Sequence, residues 1–239
     1  MDVTHARRRI RETGWLGNLP GPFCTALLAG SHLRRVGNGE VLFHRDDPAP
    51  DLLGLVDGLL YVYADADAGD EGPRLVFVAH PGWWAGSVAM VGGSERRCTV
   101  VARAPSVLLS VPRMHIEALA RRDPATWRHV AVNVAAQYDS LALLSLAQAN
   151  PDPRVRLLIS LKRLHRFNDG ATIFPVTQSE LAELSGLSRN SANRAMRQFV
   201  AEGLIETGYG WLRIVDPDTL DAALCQRNGT GECCERRAG

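Results

Sequence analysis

Residues 177–200, TQSELAELSGLSRNSANRAMRQFV, admit few folds, because two short helical periodicities separated by a single glycine leave room only for a tight turn. Thr177 and Glu180 have the T-x-x-E spacing in which hydroxyl and carboxylate reciprocally cap two orphan backbone N–H groups. The spacing predicts a helix from Gln178 to Ser185, with Leu181 and Leu184 on one apolar stripe and Ala182 small enough to admit a neighbouring helix. Gly186 ends it, since glycine takes the left-handed backbone that lets the chain reverse within a few residues. Ser188 supplies the next N-cap. From Arg189 onward the pattern divides into two faces: Ala192, Ala195, Met196 and Phe199 recur at helical steps, and Arg189, Asn190, Asn193, Arg194 and Arg197 fall opposite.

The polar face matches nucleic acid. Three arginines and no acidic residue lie between Ser188 and Val200. Arginine can pair bidentately with guanine O6/N7, and asparagine with adenine N6/N7. A solvated basic face has the same composition, so position must decide. Glu202-Gly203-Leu204-Ile205-Glu206, the turn Thr207-Gly208-Tyr209-Gly210 and the run Trp211 to Val215 follow, and read as a two-stranded hairpin. Helix, turn, helix and hairpin in that order predict a winged helix-turn-helix.

The 239 residues favour two domains, and 46% hydrophobic with 22% charged residues is ordinary for a globular chain. A formal charge of +1 means that any nucleic-acid contact depends on local placement of arginines. Cys24, Cys98, Cys225, Cys233 and Cys234 are odd in number and scattered, which is no disulfide framework. No uninterrupted apolar run approaches the ~20 residues that span a bilayer. The opening MDVTHARRRIRETGW lacks the apolar core of a secretory signal, so the expectation is a cytoplasmic protein without membrane contact.

The front half is strand-like. Leu33 to Phe43, Leu52 to Val56, Leu59 to Tyr63, Arg74 to Ala79 and Cys98 to Val111 are β-prone runs punctuated by Gly37-Asn38-Gly39, Asp57-Gly58 and Pro81-Gly82. Asp57-Gly58 carries a strong two-residue hairpin signal. Such spacing predicts a β-roll or sandwich. Asp65, Asp67, Asp70 and Glu71 lie in another predicted hairpin tip; their spacing lacks the glycine and terminal glutamate of a calcium loop, and an acidic solvated turn is the better account.

Ala125 to Ala149 contains neither proline nor glycine and predicts one helix of about seven turns. Trp127, Val130, Val134, Leu141 and Leu144 follow three- and four-residue steps, interrupted by Gln137, and suit a seam with a second copy; packing on the chain's own β-domain is the alternative. Asn150-Pro151-Asp152-Pro153 reads as a hinge with Asp152 as N-cap, followed by a helix from Val155 to Arg166. The polar tail after Leu224, with Cys233-Cys234, is expected to be disordered. The expected architecture is α+β: a β-roll over 1–122, a long dimerisation helix and hinge over 123–150, a winged helix-turn-helix over 151–224 and a tail over 225–239.

This order resembles the Crp/Fnr family of bacterial transcription regulators over roughly Leu19 to Leu220. The resemblance rests on Gly39-Glu40-Val41-Leu42-Phe43, on Leu55 to Val62, and above all on Thr177 to Ile205, with Gly186-Leu187-Ser188-Arg189 and Arg194 at the helix-turn-helix signature. It implies a cyclic-nucleotide-binding-like jelly roll and a homodimer on pseudo-palindromic double-stranded DNA. It also implies half-sites about one helical turn apart, with RNA polymerase a possible partner. Arg189 and Arg194 match arginines that the family uses on guanine or backbone, and Asn190 replaces a glutamate. With Thr177, Gln178, Ser188, Asn193 and Arg197 these form the expected DNA contacts.

Cyclic-nucleotide binders of this family carry a Gly-Glu pair that takes the ribose hydroxyl, and ten residues later an arginine that holds the cyclic phosphate. Here Gly86 is followed by Ser87, and Arg96 or Arg97 falls at the phosphate position, with Thr99 nearby. These five residues are the candidate ligand site, but serine cannot replace the carboxylate clamp, so cyclic AMP is not expected and another small effector is left open. No cofactor is predicted: Cys24 alone cannot ligate an iron–sulfur cluster, and His32, His44 and His80 are scattered candidates for haem. A rival reading is a cyclic-nucleotide-binding module acting on a protein partner, which has no use for a winged reader. Phosphate-loop, zinc-protease and serine-hydrolase motifs do not occur, so the chain is not read as an enzyme.

Overall fold

The computed structural model describes residues 1–64, 72–93 and 95–228. The acidic set Asp65, Asp67, Asp70 and Glu71, and the pair Cys233-Cys234, lie outside the described residues. The chain divides into two compact units, the first Met1–Tyr138 and the second starting at Asp139.

Unit 1 begins with three helices that the sequence reading did not anticipate: α1 (Val3–Arg11), α2 (Gly14–Gly17) and α3 (Gly21–Ala29). Asp2 caps α1 by accepting from the His5 amide at 2.8 Å. Ala6 and Ile10, one turn apart, bury the face opposite its arginines. The strands follow as β1 (His32–Val36), β2 (Val41–Phe43), β3 (Asp51–Asp57), β4 (Leu60–Ala64), β5 (Arg74–Ala79) and β6 (Trp84–Ala85). A short helix α4 (Ser87–Gly92) leads to β7 (Thr99–Ala102) and β8 (Ser106–Pro112). Then come α5 (Arg113–Arg122), also unanticipated, and the long helix α6 (Ala125–Ala149).

The strands form two antiparallel sheets, β1-β8-β3-β6 and β2-β7-β4-β5. Every connection between consecutive strands except that from β4 to β5 changes sheets, which is the wrapping of a roll. Asp57-Gly58 is therefore a corner between sheets and not the hairpin turn expected of it. Only Gly58 has positive φ there, at 103°, whereas the expected turn needs both residues left-handed. A Cβ on Gly58 would lie 2.2 Å from Ser106 Oγ, the atom that accepts from the Leu59 amide. The corner thus has room only for glycine.

The N-terminal helices complete the core of unit 1. Ala6, Ile10, Leu16, Cys24, Leu27 and Leu28 pack with Leu52, Val56, Trp84, Leu109, Val111, Ile116 and Val130 of α6. Trp15 donates its indole N–H to the His129 carbonyl at 3.0 Å and stacks edge-on against Trp84, centroids 5.4 Å apart. Gln137, the polar break in the α6 stripe, donates to the Trp84 carbonyl at 2.9 Å.

Unit 2 holds α7 (Pro153–Arg166), β9 (Ile173–Phe174), α8 (Gln178–Leu184), α9 (Arg189–Ala201), β10 (Ile205–Gly208), β11 (Trp211–Ile214) and α10 (Pro217–Asn228). Its sheet runs β10-β11-β9. Phe174, Leu181, Leu184, Ala192, Met196, Phe199, Leu212 and Ile214 are buried with the apolar face of α7. Residues 225–228, which the sequence assigned to the tail, belong to α10; Arg227 anchors that last turn by pairing with Glu202 at 2.7 Å.

Among the described residues α6 alone is long and apolar enough to cross a membrane by length and composition, with a mean hydropathy of 1.3 over its best 18 residues. It carries Arg128 and Asp139, and Thr126, Val130 and Asn133 are buried in the protein.

Candidate nucleic-acid interface and roll pocket

The helix-turn-helix is fixed at each junction by a local hydrogen bond. Thr177 and Glu180 form the reciprocal capping box: the Thr177 amide donates to Glu180 Oε2 at 2.7 Å, and the Glu180 amide to Thr177 Oγ1 at 3.2 Å. Gly186 takes the turn with φ 60°. The Arg156 guanidinium on α7 donates to the carbonyls of Ser185, at 3.3 Å, and Gly186, covering the end of α8. Ser188 caps α9 by accepting from the Ser191 amide at 3.2 Å.

The sequence faces of α9 are its structural faces. Ala192, Ala195, Met196 and Phe199 are buried, whereas Arg189, Asn190, Arg194 and Arg197 are exposed and Asn193 is half-buried. At roughly 100° per residue the five polar side chains span an arc of about 140°. Arg189 Nε donates to Ser179 Oγ at 2.7 Å, which orients the guanidinium, and Gln178 is exposed beside Ser179. Among the described residues Arg194 and Arg197 make no ion pair. Glu202, the nearest following acid on the chain, is engaged by Gln198 at 2.8 Å and by Arg227, both of which help hold its carboxyl below the usual range. The wing is anchored by Arg213 and Glu206 at 2.6 Å. Tyr209 stands fully exposed at its tip, and the Trp211 indole covers Gly208, where a Cβ would lie 2.2 Å from Nε1. Neither aromatic was a sequence candidate; an exposed ring between two glycines was the available signal.

In unit 1 the five candidate ligand residues fall in different settings. Gly86 is the left-handed N-cap of α4, φ 95°, and Ser87 is wholly buried, its hydroxyl without a partner among the described residues. Arg96 is 3% exposed. It does not stand free for a phosphate, as the sequence reading allowed: it is ion-paired to Asp51, and its guanidinium lies 4.3 Å from the Phe43 ring centroid. Burial lowers its pKa and the Asp51 charge opposes that shift. Arg97 is exposed, and Thr99 is half-buried, accepting from the Arg45 amide at 3.1 Å. Asp51 went unnoticed in the sequence, although a carboxylate heading the apolar run Leu52 to Val56 needs a partner.

The α6 stripe expected to face a second copy also needs correction. Val130 is fully buried in the chain's own core, and Trp127 packs against it. Val134 and Leu144 are half-buried, and only Leu141 of the five is exposed, at 55%. The uncovered face lies about a quarter turn away. There Ala131, Ala135, Tyr138, Ala142, Ser145 and Ala149 follow strict four- and three-residue steps, all exposed except the half-buried Ala142. Val132 and Leu146 flank them, exposed at 48% and 61%.

A two-sheet roll, a long helix and a winged helix-turn-helix with an arginine face define a class of regulator that reads DNA. Family models match twice: a cyclic nucleotide-binding domain over residues 33–123 and a Crp-like helix-turn-helix domain over residues 155–223. The chain belongs to the Crp/Fnr family of DNA-binding transcription regulators, which are not enzymes. The cyclic AMP receptor protein of Thermus thermophilus is 27% identical over 187 residues, 77% of this chain and 83% of the relative. Two solved structures share the fold. FixK2 of Bradyrhizobium japonicum has a TM-score of 0.65 at 18% identity, covering 80% of this chain and 95% of its own. The c-di-GMP-responsive regulator CLP of Xanthomonas campestris has 0.63 at 20%, covering 82% and 100%.

Proposed function

We propose that the protein is a cytoplasmic, homodimeric transcription factor that reads a pseudo-palindromic site with its two α9 helices. The observation that carries this is the exposed, acid-free face of Arg189, Asn190, Asn193, Arg194 and Arg197, held on a capped and clamped helix. Arg189 and Arg194 are assigned to base edges or adjacent phosphates, Asn190 and Asn193 to bases, and Arg197, Gln178, Thr177 and Ser188 to the backbone. Asn190 both donates and accepts, so its preferred base differs from that of a glutamate there. RNA polymerase and a small effector are further partners consistent with the family.

The second copy docks on the uncovered heptad of α6, from Ala131 to Ala149. Its small side chains let two helices approach closely, and Val132, Tyr138 and Leu146 add apolar area. The roll is tied to α6 through Gln137 on Trp84, so a change in unit 1 reaches the helix that pairs the readers. Regulation then requires two arrangements of the paired helices and a signal that favours one of them. Selection from a random duplex library tests the reading: enriched sequences should contain inverted half-sites with centres about 34 Å apart. Enrichment of single, unpaired sites would reject the dimeric reader.

A further inference from the structure

The buried guanidinium of Arg96 raises the question of what balances its charge. A cation removed from water needs a counter-charge, and in a roll that binds an anionic effector the ligand can provide it. Here the chain provides it. Asp51, at the head of β3, accepts from Arg96 through Oδ1 and from the Ser110 hydroxyl through Oδ2, so both carboxylate oxygens are engaged. The Phe43 ring covers the guanidinium, and Gly86 closes against it so tightly that a Cβ there would lie 2.4 Å from Arg96 Nη1. Arg96 Nε and Nη1 and Ser87 Oγ have no partner among the described residues. These atoms can be met by a water, but the set offers no carboxylate for a ribose hydroxyl. A cyclic nucleotide is poorly matched to it: its phosphate would meet a guanidinium whose charge Asp51 already balances through Nη2, and Ser87 stands where a carboxylate would have to take the ribose hydroxyl.

We propose that Asp51 is the resident counter-anion of the roll, holding Arg96 in the paired state that an anionic effector would otherwise create, so that the protein acts without a cyclic nucleotide. The proposal rests on unit 1 being the regulatory unit of a DNA-binding dimer. Its consequence is specific. Removing Asp51 exposes a cation site, whereas removing Arg96 and Asp51 together leaves none.

The experiment uses the full chain in calorimetry and thermal unfolding with cyclic AMP, cyclic GMP and inorganic phosphate, with a DNA shift assay on the same samples. The wild-type protein should show no saturable heat and no rise in melting temperature with any of the three, and the same DNA affinity with and without them. Asp51→Ala should gain a saturable rise with phosphate or cyclic AMP, and D51L/R96M should fold and show none. If Asp51→Ala fails to fold while D51L/R96M folds, the resident-charge account is supported, because only the single variant strands a buried cation. One cyclic nucleotide bound per wild-type chain overturns the proposal, whatever the variants do. Loss of DNA binding under every condition counts instead against the regulator reading and leaves the nucleotide result to decide this one.

Discussion

The Arg156 guanidinium donates to the main-chain carbonyl of Gly186, fastening α7 across the turn between the two helices of the DNA reader. Gly186 has φ 60°, and a Cβ there would come within 2.6 Å of Arg156 Nη2. Gly186→Ala should therefore cost more than about 1 kcal/mol in denaturant unfolding, through strain and displacement of the clamp. Arg156→Ala should cost about 1 kcal/mol, because it removes the charged donor from the Ser185 and Gly186 carbonyls, which water can partly replace at exposed Gly186. Unchanged midpoints for both variants would remove the clamp from the account.

Arg189 and Arg197 separate base reading from phosphate contact. Arg189→Ala should weaken the selected site by about 1–3 kcal/mol and relax discrimination at one base pair. Arg197→Ala should weaken specific and random DNA alike and lower the salt slope by about 1. If both variants behave like Arg197→Ala, Arg189 is a backbone contact.

Ala135 and Val130 lie on the same helix and should fail differently. Ala135→Glu places a charge on the uncovered heptad and should give a folded monomer by sedimentation, with normal circular dichroism. Val130→Asp buries a charge in the core of unit 1 and should unfold that unit. A dimer that survives Ala135→Glu would place the contact on another surface.

His80 gives unit 1 a pH dependence. Burial pushes its pKa down to about 4 from 6.5. Above pH 6.5 the ring is neutral in both folded and unfolded chains and stability is complete. As the pH falls towards 4 the unfolded chain binds a proton that the folded one refuses, so stability declines by about 3 kcal/mol at most. Urea midpoints between pH 7 and 4 should fall for the wild type and fall less for His80→Gln.

The winged reader was legible because its signals are local: Thr177 with Glu180, the left-handed Gly186 and the period of Ala192 to Phe199 all lie within one turn of the residues they organise. The sheet assignment was not. Asp57-Gly58 looks the same in sequence whether the next strand pairs beside its predecessor or crosses to the other sheet, and long-range pairing decides. The α6 seam misled for a related reason, since Trp127 and Val130 mark an apolar face without saying what covers it. The free face is built of quiet alanines. Arg96 and Arg97 could not be separated because a shift of one residue near a strand exchanges inside for outside. Helix α1 was signalled by Asp2, Ala6 and Ile10, but two apolar positions among arginines are a weak period.

Hydroxyl-radical footprinting of the full chain on its selected duplex shows whether two readers bind DNA as a pair. A dimeric reader gives two protected patches related by a dyad, centred about one helical turn apart, and lost together in Ala135→Glu. A single patch, or protection unchanged in a variant shown to be monomeric, would contradict it.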